Sequence, residues 1–124
     1  MTTDRKAIAQ RFLERASAGH ARDEAARLLA DDFRHHNVYF AGDAASLLAA
    51  MDENAHKFPD KRLTVVQAIG DGDNVATFCR VRHSADGPDY AVMHMFRFDG
   101  DRIAELWDVA QEVPSESPNQ YGAF

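Results

Sequence analysis

A chain of 124 residues is long enough for one domain with a single core and too short for two. Its hydrophobic content of 45% is that of a globular protein, and no run approaches the roughly 18–20 apolar residues of a membrane helix. The formal net charge is −6, with Lys and Arg scattered among acids. Nucleic acid and anionic membrane are therefore poor partners, because phosphate binding needs clustered cations, and a neutral or weakly polar small molecule fits better. The N-terminal MTTDRKAIAQ has no apolar h-region, so a cytoplasmic setting is expected. The single cysteine, Cys79, excludes a disulfide framework within the chain.

From about Thr3 to Ala18, Ile8, Phe12 and Ala16 recur every four residues after a Thr cap, which predicts an amphipathic helix ended by Gly19. A second helix is expected over Ala21–Ala30, with Ala25, Leu28 and Leu29 inward and Arg22, Asp23, Glu24 and Arg27 outward. The aromatic and β-branched stretch Phe33–Phe40 reads as a short strand closed by Gly42. Leu47, Met51 and Ala55 then mark a third helix, Asp43–Lys57, stopped by Phe58–Pro59. A meander follows: Arg62–Gly70, Val75–His83 after the Asp71–Asn74 turn, and a long hairpin from Tyr90 to Gln111. Helices first and a meander after is an α+β arrangement in which one sheet face is covered by the helices. Aromatic residues on the hairpin leave the other face to be buried by a second copy of the chain, giving a homodimer through the sheet. The tail SESPNQYGAF lacks periodicity, yet its Tyr121 and Phe124 predict that it docks.

The hairpin carries the chemistry. Alternation places Tyr90, Val92, His94, Phe96 and Phe98 on one face, with Met93, Met95 and Arg97 on the other. Asp108 stands between Leu106, Trp107, Val109 and Ala110, a setting in which desolvation would raise a carboxylate's pKa towards that of a usable base. Which residues face His94 depends on the turn. A two-residue Gly100–Asp101 turn pairs Asp99 with Arg102 and sets Trp107 opposite His94. A three-residue loop with a bulge pairs Phe98 with Arg102, and sets Asp108 opposite Val92 and diagonal to His94. Only the second unites the two titratable groups; otherwise Asp108 points to solvent and His94 is a core histidine. His35 and His36 point to opposite faces and cannot readily share a metal, and no Cys pair, HxxxH or HExxH is present, so no metal is expected. One of them, with Asn37, could line a cavity as a donor, or both could be exposed edge polars. His20, His56 and His83 sit at element ends and are expected at the surface. No nucleophile elbow, GxGxxG or P-loop occurs, so no nucleotide cofactor is implied.

This order of elements resembles the NTF2-like cone-shaped α+β fold, with three N-terminal helices packed on a curved antiparallel sheet. The segments FRHHN, AIGDGDNVA, MFRFDGDRIAELWDVAQEVP and NQYGAF resemble the SnoaL-like polyketide cyclase branch of that superfamily. The resemblance implies that His94 and Asp108 form an acid/base site on the last two strands, and hence the bulged turn. It implies His36 and Asn37 as cavity donors. Asp108 would remove a proton α to a carbonyl of a polyketide-like ligand, with His94 and His36 or Asn37 stabilising or reprotonating the enolate. Phe33, Tyr39, Phe58, Phe96 and Trp107 would supply apolar walls. No metal or organic cofactor is required. Departures from the family pattern are Val38 for proline, Leu106 for a histidine, Phe78 for a histidine, and His94 for an aspartate found in other relatives. The alternatives are a ketosteroid-isomerase-like proton shuttle and a non-catalytic dimeric binder of small molecules. Asp108 set against His94 in a cavity favours an enzyme; Asp108 capping a backbone amide favours a binder.

Overall fold

The apolar stripes read from the sequence become helices in the computed structural model, which describes residues 4–124. The elements are α1 (Arg5–Ser17), α2 (Ala21–Leu28), β1 (Leu29–His35), α3 (Ala44–Lys57), β2 (Arg62–Asp71), β3 (Asn74–Arg82), β4 (Asp89–Asp99) and β5 (Arg102–Val113). In α1 the buried Ala9, Phe12, Leu13 and Ala16 form one stripe. Asp4 caps this helix, its carboxylate accepting from the Ala7 N–H at 3.1 Å, and the expected Thr3 start lies outside the described residues. Gly19, at φ +92°, provides the left-handed exit. Asp43 caps α3 in the same manner, through the Ser46 N–H at 2.9 Å.

Two expectations about the early elements need correction. Glu24 on α2, assigned outward, is buried, because Arg11 and Arg15 of α1 reach over and pair with its carboxylate. That pairing holds its pKa below the ordinary range, the Arg11 hydrogen bond being the main cause. The first strand starts at Leu29, directly after α2, and ends at His35; Val38 and Tyr39, assigned to it, are exposed loop residues. A strand needs a neighbour to bond, and the edge of β5 serves β1 only up to the His36 N–H, which donates to the Leu106 carbonyl at 2.9 Å.

The sheet order is β1-β5-β4-β3-β2. Strands β2 to β5 form the antiparallel meander, whereas β1 joins β5 in parallel, so the sheet is mixed and not wholly antiparallel. Helices cover the inner face, where Val75, Cys79, Phe96, Phe98, Ile103 and Leu106 meet Phe12, Leu13, Leu28 and Leu47 in one core. The hairpin register combines features of both turns considered above. The turn is the two-residue one, pairing Asp99 with Arg102 and Phe98 with Ile103. A bulge then shifts the ladder, Arg97 pairing with Glu105 and leaving Ala104 as the extra residue, so that His94 stands directly opposite Asp108. At the C-terminus Phe124 packs against Phe78 on the outer face, ring centroids 5.7 Å apart, while Tyr121 is exposed. Among the described residues, no helix is long and apolar enough to cross a membrane.

Candidate active site

Between the inner sheet face and helices α1 and α3 lies a partly open cavity of about 310 Å³, at the small end of the ~300–1,000 Å³ range of ligand pockets. Its apolar walls include Leu13, Leu47, Met51, Val81 and Val92. Its polar lining includes Asn37, bonded to Asp108 with His94 opposite, Lys61, bonded to Asn54, and His83, packed on Tyr90.

His94 is buried, and its Nδ1 has no hydrogen-bond partner among the described residues. Burial pushes its pKa down to about 4; the Asp108 charge opposes the shift and the Lys61 charge adds to it. The imidazole is therefore neutral at neutral pH. Directly across on β3, the Thr77 hydroxyl is also buried with no hydrogen-bond partner among the described residues.

Asp108 is half-buried and accepts a hydrogen bond from the Asn37 side-chain amide, Nδ2 to Oδ2 at 3.1 Å. A chain of contacts fixes that amide. Its Oδ1 accepts from the Tyr39 N–H at 3.0 Å, the Asn37 N–H donates to His35 Nδ1 at 3.1 Å, and His35 Nε2 donates to the Ala41 carbonyl at 2.7 Å. This arrangement holds His35 in one neutral tautomer and aims Asn37 at the acid. The apolar flanks Trp107 and Val109 belong to the opposite sheet face, so the hydrophobic setting inferred from adjacency along the chain is not what surrounds the carboxylate.

The other expected site residues are dispersed. His36 lies on the outer face, its ring stacked on Trp107 at 4.9 Å and its Nε2 bonded to Glu105. Neither His36 nor Trp107 reaches the cavity, because β1 pairing turns His35 inward instead. Glu105 also binds Arg34 and Arg97, and these contacts, Arg34 foremost, hold its pKa at about 2. Phe33 and Phe96 are core residues, Phe96 lying against the His94 ring at 6.0 Å. Tyr39 is exposed, and Phe58 packs on His83 at 4.7 Å without lining the cavity.

Sequence reasoning missed Lys61 and misplaced His83. Lys61 sits in the α3–β2 loop, and its ammonium donates to the side-chain oxygen Oδ1 of Asn54 at 2.8 Å. Burial lowers its pKa. His83, expected at the surface, packs between Phe58 and Tyr90, and burial followed by the Lys61 charge lowers its pKa. Tyr90 was legible as sharing a face with His94, but nothing in the pattern of a four-residue loop pointed to Lys61. Among the described residues, no three His, Cys, Asp or Glu side chains converge to hold a metal ion.

Among curated proteins, none matches this chain significantly. Solved structures share its fold. AclR from Streptomyces galilaeus, provisionally named a hydroxylase, is 22% identical with a TM-score of 0.67, over 86% of this chain and 88% of that one. A SnoaL-like polyketide cyclase from Agrobacterium tumefaciens is 16% identical with a TM-score of 0.71, over 90% and 93%. A protein from Kribbella flavida, provisionally named a ketosteroid isomerase, is 20% identical with a TM-score of 0.70, over 94% and 84%. At these identities the likeness is one of fold, and the three names describe different chemistries. The profile of the SnoaL-like domain matches residues 9–106, which include His94 and end just before Asp108. The chain is therefore a member of the SnoaL-like domain family, with the NTF2-like fold.

Proposed function

We propose that the protein abstracts a proton α to a carbonyl in a small, largely apolar, polyketide-like ligand, with Asp108 as general base and His94 as its partner. The observation that carries this reading is the juxtaposition of Asp108 and His94 across the β4–β5 ladder, both lining one cavity, with the acid held by a side-chain amide and not by a backbone N–H. The Asp108 carboxylate takes the α-proton, and the C–H electron pair moves into the carbonyl to give an enolate. His94, neutral because it is buried, donates an N–H hydrogen bond to that oxygen. The enolate carbon then attacks a second carbonyl, with the new alkoxide taking the proton back from Asp108, or the proton returns to another carbon. The first outcome is an aldol cyclisation and the second an isomerisation. Asn37 acts on the base, orienting it, and not on the ligand.

We also propose a homodimer through the outer sheet face, where Ile69, Met93, Met95 and Val109 are exposed and apolar.

Solvent deuterium exchange into a panel of cyclic and aromatic ketones tests the catalytic reading. The wild type should exchange the α-protons of at least one ketone, and Asp108→Asn should slow that exchange roughly 100-fold or more. A wild type that exchanges no ketone leaves a non-catalytic small-molecule binder as the better account.

A further inference from the structure

Three buried carboxylates are each paired with two arginines, and among the described residues a lysine at the cavity has no such counter-charge. Buried Glu24 has Arg11 and Arg15, buried Asp89 has Arg80 and Arg82, and buried Glu105 has Arg34 and Arg97. Lys61 is partly buried and lines the cavity, yet among the described residues its ammonium meets no carboxylate within 4.0 Å and is bonded only to the neutral Asn54 amide. An ammonium has three donors, so this cation retains capacity to bind on its cavity side.

We propose that the cavity takes a ligand bearing an anionic oxygen, a carboxylate or an equally acidic enol, and that Lys61 receives it. This deepens the proton-abstraction reading by naming the substrate class. Three further observations support it. Burial holds the Lys61 pKa below its ordinary value, so the cation stands desolvated and a bound anion would relieve it. Its charge is felt within the cavity, where it contributes to lowering the pKa of both His83 and His94. Asp108 forms no ion pair with it within 4.0 Å, the acid lying on β5 and Lys61 immediately preceding β2 at the far end of the strand order. A cavity with a cation at one part and a base at another discriminates ligand orientation. It favours a molecule whose anionic group is remote from the carbon that loses its proton, since an anion beside Asp108 would be repelled.

The test is a binding comparison between naphthalene-2-carboxylate and naphthalene-2-carboxamide, matched in shape and different in charge, followed by NMR or calorimetry on the full chain. The wild type should prefer the carboxylate by about tenfold or more, because the ammonium meets a full opposite charge where the carboxamide offers only a dipole. Lys61→Met should bring the two affinities to within about twofold of each other while leaving the carboxamide nearly unchanged, and Lys61→Arg should keep most of the preference. Unchanged carboxamide binding shows that the Met variant is folded with its cavity intact. Equal affinities in the wild type, no binding of either probe, or a preference that survives Lys61→Met would each overturn the proposal. The result is separable from catalysis: Asp108→Asn should lose ketone exchange and still prefer the carboxylate. An anion preference without any exchange would leave Lys61 as a binding determinant and remove the proton-abstraction reading.

Discussion

His94 is buried with its ring against Phe96, and its Nδ1 finds no partner among the described residues, so protonating it inside the fold is unfavourable. The unfolded chain takes this proton as pH falls through about 6.5, the folded chain only near 4. The unfolded state therefore binds more protons across that window, and stability is lost on acidification from about 6.5 to about 4, levelling off below. The loss is on the order of 3 kcal/mol, taking about 1.4 kcal/mol per pKa unit. His83, also depressed, acts in the same sense, so the measurement is a difference: urea unfolding of wild type and His94→Leu, with the variant losing markedly less stability across the window. Glu105 acts lower, its contribution fading between about 4.5 and about 2. Which residues were legible follows from the same physics. His94 and Asp108 stand in long alternating strands, where parity along the chain fixes a face. The flanks of Asp108 misled for that very reason, because sequence neighbours in a strand look away from one another. For His35 and His36 parity said only that one points inward, and the choice was made by the pairing of β1 with β5, opposite to the choice implied by family resemblance.

Helix α2 begins at the buried Ala21, and its own N-cap residue, His20, makes no side-chain cap. Asp52 of α3 accepts from the Ala21 and Arg22 N–H groups at 2.8 and 3.3 Å, a cap supplied from thirty residues away. Asp52→Ala should lower unfolding free energy by about 1–3 kcal/mol, as expected when buried donors lose their acceptor, and denaturant titration reads it directly. Asp52→Asn should recover part of the loss, since its carbonyl oxygen can still accept. The helices themselves were plain in the sequence because a 3.6-residue period needs only the chain's own apolar residues. The cap was not, because it joins elements that only packing brings together. The same distinction explains β1: its residues carry the composition of a strand as far as Phe40, but the strand stops where its neighbour's edge ends.

At the scale of the molecule, the α+β class and the helix-covered sheet were readable from element order, while the parallel edge strand was not, since no turn ties β1 to β5 and sequence separation conceals the pairing. The outer face keeps an apolar strip of Met93, Met95 and Val109 only partly covered by the tail. If the proposed homodimer forms there, light scattering should give twice the chain mass for the wild type and the single-chain mass for Met93→Glu with Val109→Glu; a monomeric wild type would dismiss it. The bulge at Ala104 has a consequence that reaches the gene. β5 carries one residue more than its ladder consumes between the turn and Asp108, and that surplus is what points the carboxylate at the cavity. Loss of a single codon anywhere from 104 to 107 would absorb the surplus and leave Asp108 facing inward. Gain of a codon in the same stretch would turn the carboxylate to the outside unless a second bulge formed. A lineage of such genes can therefore shorten this strand at little cost to the acid's orientation, but it cannot lengthen it by one on the same terms.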